Sequence, residues 1–187
     1  MFEFLVKVFV AIFIPKKKRT QVKRLLLGGL KNYIRVKKKA KSVGKDLAVS
    51  REEVTVNKNT IIGDNCRFNG LRIFGNGNVT IGNNVVIATD AVILTGNHNY
   101  EGDEIPYDDG YNPRPVIIED FVWMGVRVTI LPGTKIGEGA IIQAGSVVHG
   151  EIPPYSIAGG NPAKVFKMRN VEHFKKLKAE GKIHSFK

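Results

Sequence analysis

Ile130-Leu131-Pro132-Gly133-Thr134-Lys135-Ile136-Gly137-Glu138-Gly139-Ala140-Ile141-Ile142-Gln143-Ala144-Gly145-Ser146-Val147-Val148 carries an aliphatic residue at every sixth position, with a small side chain four residues after each. Outward from this stretch, Ile118 continues the series, Met124 fills the step before Ile130, and Ile81, Ile87 and Ile93 repeat the same spacing earlier. Val85, Ala91, Val122 and Val128 hold the smaller position in those units. Glycine, asparagine or aspartate follows the aliphatic residue, as in Ile62-Gly63-Asp64-Asn65 and Ile81-Gly82-Asn83-Asn84. A fixed short period marks a solenoid, in which each unit buries its apolar face only against its neighbours. Six residues suit a short flat strand and a turn, and the turn needs residues that tolerate positive φ. Three strands complete one triangular coil, so Ile118 and Ile136 are expected to stack one coil apart. Ile62, Ile73 and Ile81 are spaced 11 and 8 residues apart, so the early corners should carry insertions. Val43 to Asn59 reads as a transition, with the solenoid clear from Ile62 onward.

The charge separates the chain into parts. The whole carries +12, yet residues 1–45 hold 14 Lys/Arg against Glu3 alone, leaving residues 46–187 at −1. The boundaries expected are a basic arm over 1–45, a solenoid over 46–168 with an inserted loop at 99–115, and a C-terminal helix and tail over 169–187. In that last part Val171, Phe174 and Leu177 suggest a short amphipathic helix packing on the end of the solenoid. A chain of 187 residues is long enough to bury one core. A single cysteine, Cys66, excludes an internal disulfide framework and suits a reducing compartment. It stands four residues after Ile62, which predicts a core thiol.

In the arm, residues 2–14 are apolar apart from Glu3 and Lys7, with Phe2, Leu5, Val6, Phe9 and Phe13 on one helical face. Pro15 should end that segment. Lys16-Lys17-Lys18-Arg19 follow, then a second helix is predicted from Thr20 to about Lys41, weakened at Gly28-Gly29. The apolar run is too short to span a bilayer. Its basic residues follow rather than precede it, unlike a secretory signal. The pattern suits an amphipathic segment lying on an anionic membrane face. Two other readings are a helix packed on the solenoid or a neighbouring subunit, and nucleic-acid binding, for which no recognition fold is visible.

The strings Val122-Trp123-Met124-Gly125, Ile130-Leu131-Pro132-Gly133-Thr134-Lys135-Ile136-Gly137, Gln143-Ala144-Gly145-Ser146-Val147-Val148 and Ala158-Gly159-Gly160-Asn161-Pro162-Ala163-Lys164 resemble the hexapeptide-repeat acyltransferases. The closest group is the galactoside, maltose and nodulation-factor O-acetyltransferases, with polysaccharide acetyltransferases of the same build. The resemblance covers roughly residues 54–168. It implies an all-β solenoid, the left-handed parallel β-helix, working as a homotrimer with acetyl-CoA as co-substrate and no metal. The hand comes from the resemblance alone, since parallel crossovers are right-handed in ~98% of cases.

His98 ends the hexapeptide Ile93-Leu94-Thr95-Gly96-Asn97-His98 and precedes 17 residues, 99–115, without the repeat. In the family a histidine at this place is the catalytic base. The chemistry agrees, because a hydroxyl is a poor nucleophile at neutral pH and a neutral imidazole can take its proton as it attacks a thioester. The loop combines Glu101, Asp103, Glu104, Asp108 and Asp109 with Tyr100, Tyr107 and Tyr111, against Arg114 alone. Acids that accept hydroxyl hydrogen bonds and flat rings that cover sugar faces suit a carbohydrate acceptor. By resemblance the coenzyme A arm runs past Ala88, Gly125-Val126, Ala144 and His149-Gly150, with Lys164 and Lys167 where relatives hold arginines near the nucleotide phosphates. Lysine replaces them as a point charge without the bidentate fork. Trp123 matches a tryptophan lining the family's active site. Phe68 stands where the galactoside and maltose enzymes have asparagine, and Asn76 where they have aspartate, which separates this chain from their small-sugar acceptor.

The function expected is transfer of acetyl from acetyl-CoA to a hydroxyl of a sugar, of a surface polysaccharide or its lipid-linked precursor, by a cytoplasmic enzyme peripheral on the inner membrane face. No nucleic-acid partner is expected. Acetylation of a small xenobiotic or amino group is the alternative within the same chemistry. A solenoid carbonic anhydrase needs zinc on three histidines, and the solenoid offers only His98 and His149. A non-catalytic scaffold is the third alternative.

Overall fold

Repeat residues point inward and stack. The computed structural model describes residues 15–185 together with Val8 and Ala11, and side chains in the first helix from Leu27 onward. The apolar face of residues 2–14 lies outside the described residues. Three parallel sheets run the length of the molecule. The first stacks Ser42–Val43, Thr60–Ile62, Val79–Ile81, Val116–Ile118, Lys135–Ile136 and Glu151–Ile152. The second stacks Ala48–Val49, Arg67–Phe68, Val86–Ile87, Trp123–Met124 and Ile141–Ile142, then Ser156–Gly160. The third stacks Val54–Thr55, Leu71–Phe74, Ala91–Leu94, Thr129–Ile130 and Val147–Val148. The chain visits them in turn, building a parallel β-solenoid of six coils.

Register follows the period. Ile118 pairs with Ile136 one coil on, within a column of Ile62, Ile81, Ile118, Ile136 and Ile152 that is at most 3% exposed. Burying each such side chain stabilises the fold by about 1.5–3 kcal/mol. Phe68, six residues after Ile62, is the aromatic member of this pattern. It pairs with Ile87 and is wholly buried, so its apolar character belongs to the core and bears on no acceptor site. The segment read as a transition is already solenoid, because Ser42–Val43, Ala48–Val49 and Val54–Thr55 form the first coil.

The corners explain the glycine and asparagine clusters. Between the first and second sheets, Asp46, Asn65, Asn84, Phe121, Gly139 and Tyr155, one per coil, all take positive φ. Beside them, Asp64 Oδ1 accepts from the amide of Lys45, Asn83 Oδ1 from that of Asp64, and Asp120 Oδ1 from that of Asn83, at 2.7, 2.8 and 2.7 Å. Gly63 makes the close stacking possible, since a Cβ there would lie 2.7 Å from the Gly82 carbonyl carbon.

Helix α1, Lys16–Lys39, closes the open end of the first coil. Val36 is wholly buried, and the Asn32 amide donates to the carbonyls of Ser50 (3.1 Å) and Glu52 (2.5 Å). Gly29 lets the helix approach the Val49 carbonyl, which a Cβ would meet at 2.8 Å. At the other end Ala163–Met168 folds back antiparallel onto Ser156–Gly160. Helix α2, Val171–Ala179, starts at Asn170, whose side chain accepts from the His173 amide at 2.9 Å. It packs along the first corner rather than over the end. Its Phe174 sits against Gly139, edge-on to Phe121 (5.6 Å between centroids) and tilted on Tyr155 (5.1 Å).

Candidate functional site

His98 owes its position to the one place where the coil opens. After Ala91–Leu94 the chain leaves the solenoid as Gly96–His98 and returns as Tyr111–Pro113, the two pairing antiparallel with His98 opposite Tyr111. The segment between is tied back on itself. Asn99 and Asp108 join through their side chains at 2.8 Å, the Asn99 amide donates to Gly110 at 3.0 Å, and the Asp108 amide donates to Asn99 at 3.1 Å. This knot brings Tyr107 face to face with His98, 4.1 Å between centroids and 18° from parallel, while Tyr111 stands edge-on at 5.9 Å. The imidazole is thus fixed between two rings yet exposed to solvent.

Beside it lies a polar cavity of about 260 Å³ lined by Asn97, His98, Asn99, Tyr100, Glu101, Asn112 and Arg114. Tyr100 shares this cavity, and Tyr107 forms its histidine's stacking partner. Asn76 is exposed at the adjoining corner, next to Gly75, where the Tyr111 hydroxyl fills the space of a missing side chain. Tyr100 and Tyr107 are thus brought to the histidine, and Asn76 lies at the corner that Tyr111 reaches. Among them Arg114 is the cation, and its presence beside Glu101 gives the cavity both hydrogen-bond donors and acceptors.

A second, apolar groove of about 450 Å³ collects Ala88, Trp123, Gly125, Val126 and Ala144. These come from three successive coils of the second sheet and the turns that follow it. Small residues leave the groove narrow and open: Ala144 is exposed, and the Gly125 α-carbon packs directly against the Ala144 backbone, 2.6 Å from where a Cβ would stand. Gln143, Ile157 and Phe166 complete the wall. Sequence reasoning missed these three. Only the antiparallel return of Ala163–Met168 places Phe166 there, a pairing that carries no periodic signal. Trp123 and Phe166 are 53% and 61% exposed, an apolar patch of the kind that binds a ligand or another chain.

The other expected donor-side residues stand apart from this groove. Lys164 and Lys167 lie exposed on the strand that carries Phe166, opposite Gly159 and Ile157. They flank it without lining it. His149 and Gly150 sit at the third corner, exposed, with the Gly150 carbonyl engaged by the Lys135 amide at 2.9 Å. The groove and His98 are also separate within one chain, because the width of the third sheet lies between the turns at Gly125 and Ala144 and the strand that ends at His98.

Neither Cys66 nor Ser146 is placed to act as a nucleophile. Cys66 is wholly buried, its thiol donating to the Gly82 carbonyl at 3.1 Å, and burial pushes it up to about 11. Ser146 is buried too, donating to Gln143 O at 2.6 Å and accepting from the Gly160 amide at 3.2 Å. Among the described residues no three His, Cys, Asp or Glu side chains gather as a metal site.

Residues 115–150 match the family model described as bacterial transferase hexapeptide (six repeats). The galactoside O-acetyltransferase of Lactococcus lactis is 32% identical over 136 residues, 61% of this chain and 65% of that protein. An Escherichia coli K12 protein named for O-acetyl transfer in lipopolysaccharide biosynthesis is 38% identical over 102 residues, 50% of this chain and 52% of its own length. Among solved structures, a hexapeptide-repeat acetyltransferase of Vibrio cholerae superposes with a TM-score of 0.55 at 25% identity, covering 89% of this chain and 88% of that one. The chain spans about half the length of the curated relatives it matches.

Proposed function

We propose that this chain, a hexapeptide-repeat protein similar to named acetyltransferases, is an acetyl-CoA-dependent O-acetyltransferase acting as a homotrimer on a sugar hydroxyl, with His98 as general base. The observation that carries this reading is the pairing of an exposed, ring-clamped imidazole with a polar cavity, on a scaffold that also bears a narrow apolar groove. The groove suits a thin pantetheine arm passing Ala88, Gly125, Val126 and Ala144, with Trp123 beside it. Lys164 and Lys167 supply positive charge near its end for the nucleotide phosphates. Tyr100, Tyr107, Glu101 and Asn76 suit a carbohydrate, by ring stacking and by hydrogen bonds to hydroxyls.

In the reaction, His98 removes the acceptor hydroxyl proton as the oxygen attacks the thioester carbonyl. The tetrahedral intermediate collapses with cleavage of the carbon–sulfur bond, and the proton passes from the imidazolium to the departing thiolate. Products are the O-acetyl ester and free coenzyme A. Two relatives named for O-acetyl transfer, on galactoside and in lipopolysaccharide biosynthesis, favour a surface polysaccharide or its lipid-linked precursor as acceptor, modified on the cytoplasmic side. The separation of groove and histidine within one chain favours a site shared between neighbours, each subunit giving one wall.

The test is His98→Ala, assayed by thiol release from acetyl-CoA with saccharide acceptors. A base acting only in the transition state contributes to kcat and little to donor binding. Turnover should fall by ~10²–10⁴ with coenzyme A affinity by calorimetry preserved. Turnover within about tenfold of the unmodified protein contradicts general-base catalysis.

A further inference from the structure

The capping helix carries a charge pattern that the core does not require. Its inner side holds Asn32 and Val36 against the first coil. Its outer side, facing away from the stack, exposes Lys31, Ile34, Arg35 and Lys38, spaced as one helical face, with Lys37 and Lys39 flanking them. In sequence Arg24 and Lys17 stand seven and fourteen residues before Lys31. No acidic residue occurs between Glu3 and Asp46. On the first coil the acids are Asp46, Glu52 and Glu53, and Glu52 pairs with Arg51 at 3.6 Å. A solenoid end needs a cap with a polar outer face, but solubility is served by mixed charge. A face of one sign answers a surface of the other sign.

We infer that the outer face of α1 docks the protein end-on to an anionic lipid bilayer, with the solenoid axis standing away from the membrane. In sequence the residues immediately before the helix, 2–14, are apolar apart from Glu3 and Lys7. In the proposed trimer, with a threefold axis parallel to the solenoids, three such helices would share one plane, and simultaneous contact strengthens attachment without any new contact. The height of the active site follows. His98 leaves the third coil, two strand spacings of about 4.8 Å above the first, and the helix adds about 10 Å. His98 then stands roughly 20 Å from the bilayer surface, within reach of a saccharide carried on a lipid headgroup. That last consequence rests on the transfer reaction proposed above; the docking itself does not.

The experiment is co-sedimentation of the full chain with phosphatidylcholine vesicles, neutral or containing roughly one third phosphatidylglycerol. The inference predicts binding to the anionic vesicles alone, weakening as salt shortens the screening length. Lys31→Glu/Lys38→Glu/Lys39→Glu, all at exposed positions, should lower that affinity by about a hundredfold or more. Its melting temperature and thiol-release activity on a soluble saccharide should stay unchanged. Equal binding of the triple variant and the unmodified chain to anionic vesicles overturns the assignment to α1. So does an unmodified chain that stays free of anionic vesicles at low salt, or one that leaves them for duplex nucleic acid while the triple variant loses that nucleic-acid binding. An inactive protein that still docks through α1 leaves this inference standing and removes only the transfer reading.

Discussion

At the residue scale, size and placement separate the two candidate walls. Ala144 needs no side chain for the fold, since it is exposed at a corner, and its smallness is useful only if something passes over it. Ala144→Trp should therefore leave melting unchanged and abolish detectable coenzyme A binding by calorimetry. Unchanged affinity places the donor elsewhere. His98 was legible in the sequence because it interrupts a strict period, and so was Cys66, whose repeat position matches its burial. Phe68 was not read as core, although it stands six residues after Ile62; its aromatic side chain departs from the aliphatic series, and the pairing with Ile87 reveals its place. The stacking of Tyr107 on His98 was equally hidden, because it depends on the Asn99–Asp108 knot rather than on any repeat.

At the scale of elements, helix α2 shows how a local rule is overridden. Phe121 and Tyr155 take positive φ, which a bulky side chain ordinarily avoids at some energetic cost. Stacking forces the backbone of every coil to turn the same way at this corner, and Phe174 packs into the space between their rings over Gly139. Arg169 adds to the dock, its guanidinium 4.8 Å from the Phe174 ring and donating to the Gly139 carbonyl at 3.0 Å. Lys178 pairs with Glu138 on the same corner. Truncating a large buried aromatic costs about 3–5 kcal/mol, more than a nine-residue helix can recover from its own hydrogen bonds. Phe174→Ala should thus release α2 while the coils persist. Limited trypsin digestion reads this directly, as rapid cleavage after Lys175, Lys176 or Lys178 with the solenoid intact; resistance equal to the unmodified chain contradicts the dock. The sequence pattern announced the helix through Val171, Phe174 and Leu177 but not its seat, because a stripe of apolar residues says which face is buried and not against what.

At the scale of the whole molecule, the six-residue period dictates the parallel stacking of coils, and the longest break in that period carries the exposed His98. The assembly does not follow from one chain's pattern. What bears on the proposed assembly is incompleteness: an exposed apolar groove lies on one side of the third sheet and the clamped histidine on the other. In the proposed trimer, closed cyclic symmetry would set the groove of one subunit against the histidine edge of the next. The central claim, acetyl transfer at a site shared between neighbouring subunits, has a direct test in mixing two inactive variants. His98→Ala subunits keep the groove and Ala144→Trp subunits keep the base. Unfolded, mixed in equal amounts and reassembled, they should regain about a quarter of the unmodified turnover, since that fraction of interfaces pairs an intact groove with an intact histidine. A mixture no more active than the separate variants, although light scattering shows trimers of both kinds of subunit, contradicts the shared site.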